Sequence, residues 1–149
     1  MRAAGLVVLA AGLVAADRYT KILMMAHPEA GASFSVPGCI ESVSHANHGI
    51  IANIPLPLPV TVAISLVVIG IVLATGVRSL MRGDIHETTA LVFVLAGAVG
   101  NLWDRLQWQY VFDWILLFGR SAINLADICI GIGILWYVLG RRKPTLSPE

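Results

Sequence analysis

The chain has 149 residues, of which 57% are hydrophobic and 13% charged, with a formal net charge of +1. A mean hydropathy of +0.80 lies outside the range of soluble globular domains and points to an integral membrane protein. The near-neutral charge, with no basic cluster, argues against a nucleic-acid partner, and two cysteines are too few for a disulfide framework.

The first apolar stretch covers residues 3–25. Val14-Ala15-Ala16 before Asp17 resembles the small-residue cleavage site of a secretory signal. Apolar character nevertheless continues through Ile22-Leu23-Met24-Met25, beyond Asp17 and Lys21. A retained span is therefore the expectation. The loop at 27–58 carries Pro28, Gly31, Pro37 and Gly38, then Asn47-His48-Gly49, which reads as a hairpin turn with Gly supplying a positive φ. A small extracytoplasmic β element is expected there. His45 and His48 read as solvated, because no Cys or acidic residue stands beside them at metal-ligand spacing, and no metal site is expected.

Three further spans follow, at 59–77, 85–103 and 121–140. A helix rises about 1.5 Å per residue, so roughly 20 residues cross a ~30 Å hydrocarbon core. Between the last two spans, an extended 106–114 segment would set Trp108, Tyr110, Phe112 and Trp114 on one face and Asp113 on the other. Such aromatics anchor at a membrane interface. The last span is apolar except for Asp127, with Cys129 inside it and Cys39 far away in a loop. Both thiols read as structurally neutral.

Arg2, Arg78, Arg82 and Arg141-Arg142-Lys143 flank the spans on one side, while the 27–58 loop has no Lys or Arg. The positive-inside rule then puts both termini in the cytoplasm and requires an even number of spans. Under that orientation Asp17 lies about 12 Å below the outer boundary and Asp127 about 9 Å deep. Asn101 and Asp104 sit near the same level. Gly97, Asn101 and Asp104 form one helical stripe, Asn124, Asp127 and Gly131 another, and Asp17 with Lys21 is an i,i+4 pair. Small residues at Ala96 and Gly100 favour close helix approach.

An ionisable group inside a span costs a few kcal/mol on insertion scales and is a functional-site hypothesis by default. No Ser/His/Asp or Cys/His arrangement suggests itself within this layer. Two carboxylates sharing one proton do suit it, one acting as base toward water and the other polarising a carbonyl. A transporter or channel subunit is the rival class, and it would need polar residues at several depths.

The phrases Ala16-Asp17-Arg18-Tyr19-Thr20-Lys21, Asn47-His48-Gly49, Ala96-Gly97-Ala98-Val99-Gly100-Asn101-Leu102-Trp103-Asp104-Arg105, Val111-Phe112-Asp113 and Asn124-Leu125-Ala126-Asp127 resemble, in this order, the motifs of lipoprotein signal peptidase (signal peptidase II). The resemblance implies an all-α integral membrane fold: a four-transmembrane-helix bundle with a small extracytoplasmic β element. It also implies an aspartic endopeptidase of the bacterial inner membrane, active near the periplasmic face. The expected partners are membrane lipid and diacylglyceryl-modified prolipoproteins, cut before the lipidated cysteine. Globomycin-type inhibitors are implied too, and no cofactor.

By motif position Asp113 and Asp127 would be the catalytic pair. Asn101 and Asn124 would orient them or the substrate backbone, supported by Asp104, Arg105 and Ala126. Asp17, Lys21, Asn47 and Gly49 would line the substrate path. One peptidase domain is expected over 1–143, with a short cytoplasmic tail at 144–149. Three departures bear on substrate preference: Ile50-Ile51-Ala52-Asn53 follows the Asn-x-Gly motif, Asp113 and Asp127 stand only 14 positions apart, and Ile123 stands before the last Asn where the family has Phe. A divergent relative that binds lipoproteins without cutting them is a further alternative.

Overall fold

The computed structural model describes residues 2–49 and 56–140. The altered flank at Ile50-Ile51-Ala52-Asn53, the closing Arg141-Arg142-Lys143 and the 144–149 tail fall outside the described residues. Four helices dominate: α1 (Arg2–Ala26), α2 (Leu58–Met81), α3 (Ile85–Trp108) and α4 (Leu125–Gly140). A 3-10 helix (Pro28–Phe34) and three strands, β1 (Ile40–Asn47), β2 (Val111–Leu117) and β3 (Ser121–Ile123), gather at one end. The strands form an antiparallel sheet in the order β1-β2-β3. Of the helices, α2 and α3 are each long and apolar enough to cross a membrane, while α4 is apolar but shorter.

The helix ends explain the boundaries. Pro57 precedes α2 and Pro59 occupies its first turn, where a missing N–H costs nothing. Between α2 and α3 the chain turns at Gly83, φ +77°, and Asp84 then accepts the Glu87 N–H at 2.9 Å as N-cap of α3. Gln109 ends α3 in the left-handed conformation, φ +68°, and turns the chain straight into β2.

Helix α3 is the centre of the bundle and packs against α1, α2 and α4. Its closest approach is to α4, where a Cβ on Gly133 would come within 2.6 Å of the Ala90 carbonyl oxygen and a Cβ on Gly97 would run into the Ala126 carbonyl. At the sheet end Met24, Phe112, Trp114 and Ile115 form a buried apolar cluster. Phe34 adds an edge-to-face contact to Trp114, with centroids 5.7 Å apart. This cluster fixes β2 against the end of α1.

Several boundaries differ from the sequence expectation. The last helix does not begin at 121, because Ser121–Ile123 pairs with β2, Ile123 opposite Ile115. The helix starts at Leu125, so Asp127 lies about 3 Å into it rather than 9 Å. Gly131 is exposed, and the buried side of α4 runs through Ala126, Cys129 and Gly133. The aromatic segment is not extended throughout, since Trp108 closes α3. Strand β1 takes β2 as its partner, and the residues after Gly49 that would form the second arm of a hairpin lie outside the described residues; among the described residues, the glycines recorded with positive φ are Gly38, Gly83 and Gly119. The reason is shared. Pairing with distant β2 offers each short segment a full row of backbone hydrogen bonds, which outweighs local propensity.

Candidate active site

The polar groups of α1, α3, β1, β2 and α4 meet where the sheet sits on the bundle. Lys21 is fully buried. Its Nζ lies 2.9 Å from Asp17 Oδ2, 2.7 Å from Asp104 Oδ2 and 3.3 Å from Asn101 Oδ1, so one ammonium is shared by two carboxylates and an amide. Asp17 Oδ1 accepts the Ala126 N–H at 2.9 Å, one of the N–H groups that the start of α4 leaves unpaired. A Cβ on Gly100 would approach Asp17 Oδ2 to 2.7 Å, so only a glycine there lets α1 and α3 close on this carboxylate.

Asn124 caps α4. Its Oδ1 accepts the Asp127 N–H at 3.0 Å, and Asp127 Oδ2 accepts the Asn124 N–H at 3.2 Å. This is a reciprocal capping box, which the Asn-x-x-Asp spacing allows. The side-chain amide of Asn124 also donates to Asp113 Oδ1 at 2.6 Å and to Asn101 Oδ1 at 3.2 Å. Asn124 therefore touches both Asp113 and Asp127. Each carboxylate has a second amide donor: Asn47 Nδ2 reaches Asp113 Oδ2 at 2.9 Å, and Asn101 Nδ2 reaches Asp127 Oδ1 at 2.8 Å.

Arg105 sets the Asn47 arm. It is buried and donates to the Gly49 carbonyl at 2.9 Å and to the Asn101 carbonyl at 3.2 Å. Gly49 N–H in turn donates to Asn47 Oδ1 at 2.9 Å, a turn that aims the other end of the amide at Asp113. Burial pushes the Asp113 carboxyl up to about 6. The hydrogen bond from Asn47 opposes that rise, and the nearby Asp127 charge adds to it.

All eleven residues singled out in the sequence thus lie in one connected network. One participant was not singled out. Arg18 pairs with Asp104, reaches Gln107 at 3.3 Å and lies 4.3 Å from the centre of the Trp108 ring. Its signal is spacing: Arg18 and Lys21 are i,i+3 and share a helix face, so a carboxylate facing one meets both. Thr20, by contrast, bonds back to the Asp17 carbonyl. Among the described residues no group of three or more His, Cys, Asp or Glu side chains is arranged to hold a metal ion.

The family model for signal peptidase (SPase) II matches residues 9–141, a stretch that contains every member of this network. The chain belongs to the signal peptidase II family. It is similar to the lipoprotein signal peptidase of Geobacter sulfurreducens, 28% identical over 149 residues and covering 92% of each chain. It is 38% identical over 88 residues to that of Ectopseudomonas mendocina, covering 56% of this chain and 52% of the relative. A 46% match over 50 residues to that of Dehalococcoides mccartyi covers 34% and 31%. The chain thus spans about half or less of the length of those last two relatives.

Two solved structures share the fold. One is a bacterial membrane enzyme determined by the in meso method at 2.3 Å, with TM-score 0.75, 19% identity and coverage of 97% and 95%. The other, a bacterial membrane enzyme at 1.9 Å, gives TM-score 0.73, 21% identity and 95% coverage of both chains.

Proposed function

We propose that the chain is an aspartic endopeptidase of the bacterial inner membrane that removes signal peptides from diacylglyceryl-modified prolipoproteins, cutting before the lipidated cysteine. The observation that carries this reading is the double engagement of Asn124, which binds Asp113 through its side-chain amide and Asp127 through its backbone N–H. Two carboxyl groups tethered to one residue and surrounded by neutral amides can share a proton, because like charges held close cannot both ionise cheaply.

In this mechanism the ionised carboxyl takes a proton from water as the water oxygen bonds to the scissile carbonyl carbon. The protonated carboxyl gives its proton to the carbonyl oxygen. Collapse of the resulting diol breaks the C–N bond: the proton taken from water passes to the leaving amine, and a diol hydroxyl returns its proton to the second carboxylate as the C=O bond re-forms. Proton loss then belongs to the pair rather than to either residue. Asn47, Asn101 and Asn124 hold the carboxylates without neutralising them, while Asp17, Lys21, Asp104, Arg105, Gly49 and Ala126 fix the frame.

In the membrane, α1 to α4 serve as four spans of one peptidase domain over 1–143, ahead of a cytoplasmic 144–149 tail. Both termini face the cytoplasm and the site faces the periplasm. The positive flanks of the spans support that orientation. Bilayer lipid surrounds the helices, and globomycin-type cyclic peptides would compete for the site.

The test is incubation of the purified protein with a diacylglyceryl prolipoprotein, read by product size on a gel beside an unmodified precursor. Cleavage of the lipidated form only is the expected result. No cleavage of either form by a folded preparation overturns the proposal.

A further inference from the structure

Strand β1 contains an irregularity with a consequence for the site. Ser42 pairs with Ile115, but the next pair is His45 with Asp113. Two residues, Val43 and Ser44, therefore face the single residue Trp114, a β-bulge. A one-residue offset exchanges the two faces of a strand. Without it Ser44 would stand opposite Asp113, and Asn47 would point away from the carboxylate to which it donates at 2.9 Å. The bulge that delivers Asn47 also delivers His45, two residues earlier on the same face.

Directly paired residues of an antiparallel sheet hold their Cβ atoms about 4.5–5.5 Å apart on one face. The His45 imidazole therefore flanks Asp113. Asn124 and Asp127 approach Asp113 from the other side, where β2 meets β3 and the start of α4. His45 is half-buried. Among the described residues it makes no hydrogen bond, ion pair or ring contact, whereas Asn47 beside it uses both ends of its amide.

We infer that His45 is a substrate-binding residue of this site: its imidazole hydrogen-bonds the substrate main chain where it passes Asp113 on the side away from Asp127. The inference rests on the peptidase reading. A peptide bond clamped between Asp113 and Asp127 must leave the clamp on one side across β1. Among the described residues, the first unengaged polar side chain there is His45. A neutral imidazole carries one donor and one acceptor, which matches the alternating N–H and C=O groups of an extended peptide.

The experiment is steady-state cleavage of a diacylglyceryl prolipoprotein by the full chain and by His45→Ala, His45→Gln and Asp113→Asn, with a melting curve for each. His45→Ala is expected to raise KM about three- to tenfold, the loss of one neutral hydrogen bond, with kcat within about twofold. His45→Gln, which keeps a donor and an acceptor, should recover most of that loss. An unchanged KM in His45→Ala overturns the inference. So does a fall in kcat that tracks a lower melting temperature and is not relieved in His45→Gln. If the wild-type chain cleaves, Asp113→Asn does not and His45→Ala behaves as wild type, this inference fails alone. If the folded wild type does not cleave, the peptidase reading fails with it.

Discussion

Two pairs of carboxylates lie side by side in this molecule, Asp127 half-buried and the other three buried, and they are held in opposite ways. Asp17 and Asp104 face cations: Lys21 sits between them, and Arg18 adds a second charge on Asp104. Asp113 and Asp127 face the neutral amides of Asn47, Asn101 and Asn124. A cation beside a carboxylate holds it as an ion pair, whereas amide donors orient a carboxylate without bringing a charge to it. One pair is therefore held by ion pairs and the other by neutral amides, the arrangement that the proposed acid and base would need. Carboxylate count alone would not separate them; their partners do.

The sharpest way to break this contrast is to neutralise one member of the amide-held pair. Asp113→Asn or Asp127→Asn should reduce prolipoprotein processing by about 10²–10⁴-fold, while the protein still inserts and accumulates, as a gel assay with an immunoblot would record. The same kind of change in the ion-paired set should act on stability instead. Lys21→Met leaves Asp17 and Asp104 buried without their shared cation and should cost about 3–5 kcal/mol, measured by thermal unfolding in detergent. Adding Asp104→Asn to Lys21→Met should return part of that loss, because one uncompensated charge is removed.

Asn124 spans the contrast, since it caps a helix and touches both amide-held carboxylates. Asn124→Ala should lose about 1 kcal/mol of stability as a missing cap. Its kcat should fall further, by about 10²-fold, as expected for removal of an orienting donor. Comparable losses in stability and rate would mean that capping is its whole contribution.

The smallest effect is on pH dependence. The Asp113 carboxyl is raised to about 6 from an ordinary 3.8, so between those values the folded chain holds a proton that the unfolded chain has released. Stability contributed by this group then declines as pH rises through that window and levels off above it. Melting temperature should fall less steeply from pH 4 to 7 in Asp113→Asn than in wild type.

Much of this was legible in the sequence because the side chains that carry it lie within short phrases. Asp17 with Lys21 and Asn101 with Asp104 are near one helical turn apart, so their shared faces follow from periodicity. Asn124-x-x-Asp127 also has the spacing of a capping box. The apolar run that extends back to Ser121 nevertheless gives it the pattern of a span interior. Three residues of strand cannot be told from helix by pattern alone.

What could not be read depends on partners distant in the chain. The contact of Arg18 with Asp104 joins α1 to the end of α3, and the register of β1 on β2 is set across most of the protein. The bulge at Val43 and Ser44 leaves no mark in local hydropathy, because each neighbouring residue is polar or small enough for either face. His45 consequently looked like any loop histidine.

The left-handed turn at Phe118 and Gly119, φ +51° and +64°, closes the β2–β3 hairpin and sets how far β3 runs before the chain enters α4. Lengthening that hairpin by one residue would change which amino acid arrives at the helix start. The loop therefore acts as a ruler, and insertions at this tip should be tolerated only in steps that restore Asn124 to its seat.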